Sequence, residues 1–433
     1  MKSRHNGRVT QIQELAAQVP AALDRLRPVV ERTPLQRNAR LSAATGSTVF
    51  LKREDLQHVR SYKLRGAYNL IAQLTDEQKA SGVVCASAGN HAQGVAFSAA
   101  ELGIHATIFV PHTTPRQKRE RIQALGKEFV ELVLAGSTYD EASQASKEFA
   151  EAGGKVLVPA FDDPRTIAGQ ATAVAEAFEQ LEKKGVTPDV VVLPVGGGGL
   201  LAGCAAWLRE HHPNIRIVGV EPYGAPCVAA AISAGRPMTL KEIDTFVDGA
   251  AVARVGDIPF EIIREANIEL IRVPEGQVCS EMLAMYQVDG IIAEPAGALA
   301  ASALPTGGVG NRTPIPPDSN VLVLVSGGNN DVSRYAEVLE RSLIHEGRKH
   351  YFLVNFPQQP GALRQFLDDV LGPDDDITYF EYVKKSSRET GPALVGVELG
   401  NPGDYQFLRD RIADLGMEVE EVEYGSPLFR FFF

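Results

Sequence analysis

The chain has 433 residues, a formal net charge of -11 at pH 7 and 44% hydrophobic residues, enough for two or three domains with a substantial core. Its acidic balance argues against nucleic acid and anionic membranes as partners. No apolar stretch approaches the ~20 residues that span a bilayer, and the polar N-terminus, with Arg4, His5 and Arg8, lacks a secretory apolar region, so a cytoplasmic location is expected. Cys85, Cys204, Cys227 and Cys279 form no CxxC pair and read as reduced core residues. The basic run Arg116 to Arg121 suits either a small anion or a solvated helix face.

In chain order, the first chemical signal is SYKLRGA, which sets Lys63 between a short polar residue and an Arg-Gly-Ala helix start. A lysine amine becomes a nucleophile and base when desolvation or a neighbouring cation lowers its pKa, and Arg65 fits that setting. Taken alone, a solvated surface lysine is the commoner reading of such a string. Next, Val83 to Ala86 reads as a short buried strand, so SAGNHAQG, Ser87 to Gly94, falls on a strand-to-helix turn. Across Ser87, Ala88, Gly89, Asn90 and His91, backbone amides and the Ser87 hydroxyl can bind a carboxylate, and the Asn90 amide can meet a ring oxygen. The open alternative is that Ser87 or Asn90 only caps the helix that continues through Ala99. The His91 imidazole reads as structural.

Further on, the apolar strand Val190 to Val195 runs into Gly196, Gly197, Gly198 and Gly199, with a helix from Leu200. Glycines let backbone amides approach a phosphate, and the helix dipole adds to the attraction. The spacing is not GxGxxG and no P-loop lysine follows, so one phosphate or a mere tight crossover are the two readings. SGGNN, Ser326 to Asn330, closes another buried strand, Val321 to Val325. A serine hydroxyl facing a pyridine nitrogen protonates it weakly, which suits elimination; an ordinary serine at a strand end is the alternative. Strand-like runs also cover Ala106 to Pro111 and Arg216 to Glu221, and their alternation with helical segments predicts an α/β fold with largely parallel sheets. Thr306 to Ser319 is a Gly- and Pro-rich surface loop.

After Asp331 a helical stretch runs to about His345. The pattern then becomes βαββαβ: strand Tyr351 to Phe356, helix start Pro360 to Leu367, strands Ile377 to Val383 and Ala393 to Leu399, helix Asp404 to Leu415 and strand Glu418 to Tyr424. That order predicts a ferredoxin-like α+β module. The closing Phe429, Arg430, Phe431, Phe432 and Phe433 suit an interface or a disordered tail.

Together, Lys63, SAGNHAQG, the glycine run and SGGNN resemble the fold type II pyridoxal phosphate enzymes, specifically the threonine dehydratases (threonine ammonia-lyases). TPLQRN at Thr33 to Asn38, LKREDLQ at Leu51 to Gln57, GVEP at Gly219 to Pro222, VDGAAV at Val247 to Val252 and EPAGA at Glu294 to Ala298 extend the resemblance over nearly the whole chain. It implies a tryptophan synthase β-like catalytic domain, 1–345, with two open sheets and a small subdomain near 60 to 165. Pyridoxal 5'-phosphate would be bound covalently through Lys63, with its phosphate on Gly196 to Leu200, its ring near Asn90 and Glu294, and its pyridine nitrogen at Ser326. The substrate carboxylate would lie on Ser87 to His91.

The implied reaction takes the Cα proton of L-threonine with the Lys63 amine and expels the β-hydroxyl, protonated through the cofactor phosphate. The released enamine hydrolyses to 2-oxobutanoate and ammonia, and L-serine would give pyruvate. Residues 346–433 resemble the single ACT-like regulatory domain of the short biosynthetic form, implying isoleucine synthesis, isoleucine as inhibitor, valine as antagonist and a homotetramer. Pro360 and Gly361 would lie on the loop where ACT-type ligands often bind.

Two competitors are distinguishable. Racemase relatives place a second base directly before Gly-Asn-His, where this chain has Ala88, which has no proton to give. Some relatives also bind a divalent cation after GVEP; here Glu221 and Ala225 are followed by Cys227 in place of the second carboxylate, so no metal is expected. A catalytically silent amino-acid sensor would have lost Lys63 or the glycine run, and both are present.

Overall fold

The computed structural model describes residues 10–307, 310–382, 389–423 and 425–432, the stretch 430–432 as backbone. The N-terminal Arg4, His5 and Arg8, the strand ends expected at Val383 and Tyr424, and Phe433 lie outside the described residues. The chain divides into two units, Met1–Val332 and Ser333–Phe433.

In the first unit the runs of Val, Ile and Leu become strands buried on both faces. Val190–Pro194 is buried throughout, and Asn320–Val325 from its second residue on. Such strands need helices on both sides, and parallel pairing supplies them because each crossover is a helix. The larger sheet has the order Leu35–Arg37, Thr48–Arg53, Asn320–Val325, Val190–Pro194, Arg216–Pro222, Glu269–Val273. It is parallel except for its first pair. Between Arg53 and the return to this sheet, the chain builds a second, wholly parallel sheet in the order Val130–Leu134, Ala106–Val110, Val83–Ala86, Val156–Leu157. Its strands all fall between residues 83 and 157. Helix Pro164–Glu182 starts with proline in its first turn and an Asp163 cap that accepts the Arg165 N–H at 2.8 Å. It then packs against helices Lys63–Ile71 and Gly199–His211. Three carboxyl strand ends therefore open into the turns that carry Ser87, Gly196 and Ser326, the usual place for a ligand in open α/β sheets.

A buried ion network fixes the helix that begins at Lys63. Arg65 donates through Nε and Nη2 to Glu54 at 2.8 Å each and through Nη2 to Glu176 at 3.1 Å, while Lys52 reaches Glu176 at 2.5 Å. Thr33 adds a 2.6 Å bond to Glu54. Burial raises the Glu54 carboxyl, but the charge and hydrogen bonds of Arg65, with Lys52 and Thr33, outweigh it and hold the carboxyl below its ordinary range. Arg65 was expected to lower the Lys63 pKa; it instead spends its charge on these carboxylates.

The second unit carries an antiparallel sheet in the order Asp376–Tyr382, Thr390–Glu398, Lys349–Pro357, Glu418–Glu421. Helices Ala362–Val370 and Tyr405–Asp414 supply Phe366, Val370, Leu408 and Ile412 to its core, against Phe352, Val354 and Phe356 of the sheet. This is the expected βαββαβ module. The expected boundary after residue 345 moves earlier, because helix Tyr335–His345 belongs to this unit: its Glu340 accepts from Lys349 Nζ at 2.5 Å and from the Tyr351 hydroxyl, and Ile344 packs against the cluster around Tyr351 and Leu394. A helix's apolar stripe is legible in sequence; which of two flanking cores receives it is not. Phe429 is buried in the same cluster.

Candidate functional site

Lys63 opens helix Lys63–Ile71 and is half-buried. Its Nζ donates to the Ala160 carbonyl at 3.1 Å and lies 5.4 Å from the Tyr62 ring centroid and 6.0 Å from that of Phe161. Burial pushes the amine down to about 8, with the Glu294 carboxylate pulling the other way. This amine is available as a base and nucleophile near neutrality.

Helix Asn90–Leu102 begins with Gly89 at its N-cap and no side-chain cap bond. Ser87 Oγ accepts the Gly89 N–H at 3.2 Å within the turn. The capping alternative for Ser87 and Asn90 therefore does not hold, and the first-turn N–H groups keep their capacity for an anion. Ala88 lies within this turn. His91 is buried, its Nε2 2.7 Å from the Val158 carbonyl, and burial with the nearby Lys63 lowers it to about 4, which favours the neutral ring near pH 7.

Asn90 Nδ2 donates to Glu294 Oε1 at 2.5 Å, and Asn329 Nδ2 donates to Asn90 Oδ1 at 2.7 Å and to the Val59 carbonyl at 2.8 Å. The chain of bonds fixes which way the Asn90 amide faces. Burial, with Asp248 nearby, pushes the Glu294 carboxyl up to about 7 despite the Asn90 bond. Gly327 and Gly249 pack against Glu294, and the backbone N–H of Tyr62 donates to the Ser326 carbonyl at 3.1 Å, which brings the segments that carry Lys63, Asn90, Glu294 and Ser326 together. Ser326 Oγ donates to the Ala296 carbonyl at 3.0 Å, and the hydroxyl can rotate to turn its proton to a ring nitrogen instead. Lys118 of the inserted subdomain pairs with Asp248 at 3.0 Å, while Arg116 is exposed and pairs with Glu120. The basic run thus behaves as a helix face with one cross-subdomain contact.

The glycine run closes the other end. Gly198 has φ +91° and caps helix Gly199–His211 without a side-chain bond. A Cβ at Gly196 would come within 2.9 Å of the Ala250 backbone, and one at Gly197 within 2.5 Å of the Phe161 ring. Leu200 is buried in the first helical turn. Beside the run, Cys227 Sγ donates to the Gly196 carbonyl at 3.3 Å, and Glu221 accepts the N–H groups of Val228 and Ala229 at 2.7 and 2.9 Å. The Glu221 carboxylate thus serves the start of helix Cys227–Ala234.

These residues fit pyridoxal 5'-phosphate: an amine for its aldehyde, an uncapped helix start behind four glycines for its phosphate, and buried polar atoms without a partner in the protein at Ser61 Oγ and Gln170 Oε1. Ala160, Phe161, Gln170, Asn329 and Asp248 join this arrangement without having been singled out in the sequence, although Asn329 stands inside SGGNN and Asp248 inside VDGAAV. Pro360 and Gly361 lie in the second unit, exposed at the turn before helix Ala362–Val370, Gly361 with φ +93°.

Residues 26–327 match the family model "Pyridoxal-phosphate dependent enzyme", and residues 340–432 match "C-terminal regulatory domain of Threonine dehydratase". The chain is 56% identical over 417 residues to the L-threonine dehydratase biosynthetic IlvA of Mycobacterium bovis, covering 96% of this chain and 95% of the relative. Its similarity to the Bacillus subtilis protein of the same name is 48% over 404 residues, 93% and 94% of the two chains. Among solved structures it resembles the processed form of threonine deaminase isoform 2 from Solanum lycopersicum, with TM-score 0.71 and 35% identity over 78% of this chain and 94% of that one. It also resembles maize serine racemase, with TM-score 0.68 and 31% identity over 76% and 98%. The chain belongs to the pyridoxal-phosphate dependent enzymes and, among them, to the biosynthetic L-threonine dehydratases.

Proposed function

We propose that this dehydratase converts L-threonine to 2-oxobutanoate and ammonia in the cleft between the two sheets of the first unit, with Lys63 as its base and covalent anchor. The observation that carries this is the Lys63 amine, lowered to about 8 and held at 3.1 Å by the Ala160 carbonyl beside two uncapped helix starts. Pyridoxal phosphate, bound through Lys63, supplies the electron sink that makes the substrate Cα proton acidic. The Gly196–Leu200 amides would hold its phosphate. The amides of Ser87 to His91 bind the substrate carboxylate and orient Cα toward Lys63. Asn90, held by Asn329, and Glu294 would border its ring, and the Ser326 hydroxyl would face its nitrogen. Lys63 Nζ, freed when the substrate amine displaces it, takes the Cα proton, being the strong base then at that carbon, and the β-hydroxyl leaves with a proton as water. The Ala160 carbonyl is the acceptor ready to hold the amine when it is free.

L-serine is the second substrate, giving pyruvate. One methyl in a pocket discriminates by about 10- to 200-fold, so the ratio of kcat/KM for threonine over serine should fall in that range. Replacement of Asn329 by alanine should release Asn90 and weaken cofactor retention by about tenfold, which is about 1.4 kcal/mol, near the worth of one hydrogen bond. Equilibrium dialysis of the variant against wild type checks this; unchanged retention would remove Asn329 from the site's support.

The second unit is read as the regulatory domain through which isoleucine inhibits and valine opposes it, with Pro360 and Gly361 near the effector, in a cytoplasmic homotetramer. The family match over 340–432 supports regulation. Inhibition requires isoleucine to bind two conformations unequally at a site distinct from Lys63. Among the described residues no helix is long and apolar enough to cross a membrane. A racemase reading has less support, because Ala88 has no side-chain proton to deliver.

A further inference from the structure

A carboxamide sits between the Lys63 amine and the glycine run. Gln170 lies in helix Pro164–Glu182 and is 0% exposed. Its Nε2 donates to the Ala160 carbonyl at 2.9 Å, the same carbonyl that accepts Lys63 Nζ at 3.1 Å. A carbonyl only accepts, so the carboxamide must turn its nitrogen toward Ala160 and its oxygen away. Oε1 accordingly lies 2.8 Å from the point a Cβ on Gly199 would occupy, and it has no hydrogen-bond partner in the protein. Burying that oxygen costs desolvation with no bond in return, so a residue that only filled this space would do better apolar.

We propose that Gln170 is a positioning residue that holds the Ala160 carbonyl as the acceptor of the Lys63 amine whenever that amine is free of the cofactor, with its Oε1 left at the edge of the glycine run to accept from an N–H or water donor. The role rests on the reading of Lys63 and Gly196–Leu200 as cofactor-holding groups. With the Gln170 N–H in place, Ala160 shares its lone pairs between two donors and grips Lys63 less strongly. Without it, the full carbonyl dipole is available to the ammonium form, and the amine is held protonated to higher pH. The other groups facing Lys63 are Glu294, whose charge favours the ammonium, neutral His91, and the Tyr62 and Phe161 rings. A substitution at position 170 leaves all of these in place.

The test uses holoenzyme and two variants. Gln170→Met keeps the length of the side chain without donor or acceptor, and Gln170→Glu keeps the shape but donates to Ala160 only when protonated. Cofactor release on dilution is followed by absorbance, together with the pH profile of kcat/KM for L-threonine. The Met variant should release cofactor about tenfold faster than wild type, the loss of about one hydrogen bond, and the acid limb of its profile should move to higher pH. The Glu variant, compared with wild type at the same pH, should be near normal at low pH and approach the Met variant at high pH. Release and profile unchanged in the Met variant, or a Glu defect equal at both ends of the pH range, would overturn the proposal. If the Met variant yields no folded holoenzyme, the pH dependence of the Glu variant decides alone. Failure of the underlying site reading is separate: it would appear as turnover that survives loss of the Lys63 amine.

Discussion

Replacement of Lys63 by alanine should lower the rate of 2-oxobutanoate formation by at least about 1000-fold. A positioned general base contributes about 10²–10⁴ on its own, and this amine also anchors the cofactor. The alternatives around it are poor bases for the same proton. His91 is buried, lowered to about 4 and bonded to a backbone carbonyl, and the Tyr62 phenol is pushed up by burial. Glu294, at about 7, is engaged by Asn90. The glycine run does not depend on Lys63, so the variant should still take up cofactor, without the covalent link. An added small primary amine should restore part of the rate. The measurement is steady-state keto-acid formation with and without the added amine, alongside dialysis for bound cofactor. Near wild-type turnover would remove Lys63 from the role of base.

The largest effect on stability is expected at Glu54. Its side chain is fully buried and holds both Arg65 Nε and Nη2, so Glu54→Gln leaves a buried guanidinium short of its partner. Breaking a buried pair in this way costs about 3–5 kcal/mol. The denaturant midpoint should fall accordingly, and the double variant Glu54→Leu with Arg65→Met should recover much of the loss, because neither charge then remains to be solvated. The pH sign follows from the carboxyl's lowered pKa. Its stabilisation is present above the pKa of the unfolded chain and is lost as pH falls through the folded value. The wild type should therefore lose more stability in acid than the double variant. A single variant as stable as wild type would show that the network does not hold the Lys63 helix.

Much of this arrangement is legible in the sequence because it is local. Strands such as Val190–Pro194 are continuous apolar runs, and the turns after them carry their own chemistry in SAGNHAQG, the glycines and SGGNN. The βαββαβ tail is legible from its alternation. What escaped is set by contacts between distant positions. Ala160 acts through a backbone carbonyl, which has no residue signature, and Gln170 matters only because its helix passes between Lys63 and Gly199. Arg65 looked like a cation for Lys63, since nothing local shows that Glu54 and Glu176 claim it. Helix Tyr335–His345 had two possible cores, and its bonds through Glu340 to Lys349 and Tyr351 assign it to the second.

Control of threonine dehydration through the C-terminal unit is open to test by initial rates of 2-oxobutanoate formation from L-threonine on the full-length enzyme, with and without isoleucine. Isoleucine should suppress turnover, with a sigmoidal dependence on threonine that valine reverses. Turnover with no response to isoleucine would contradict the regulatory half, and absence of turnover in cofactor-loaded enzyme would contradict the site.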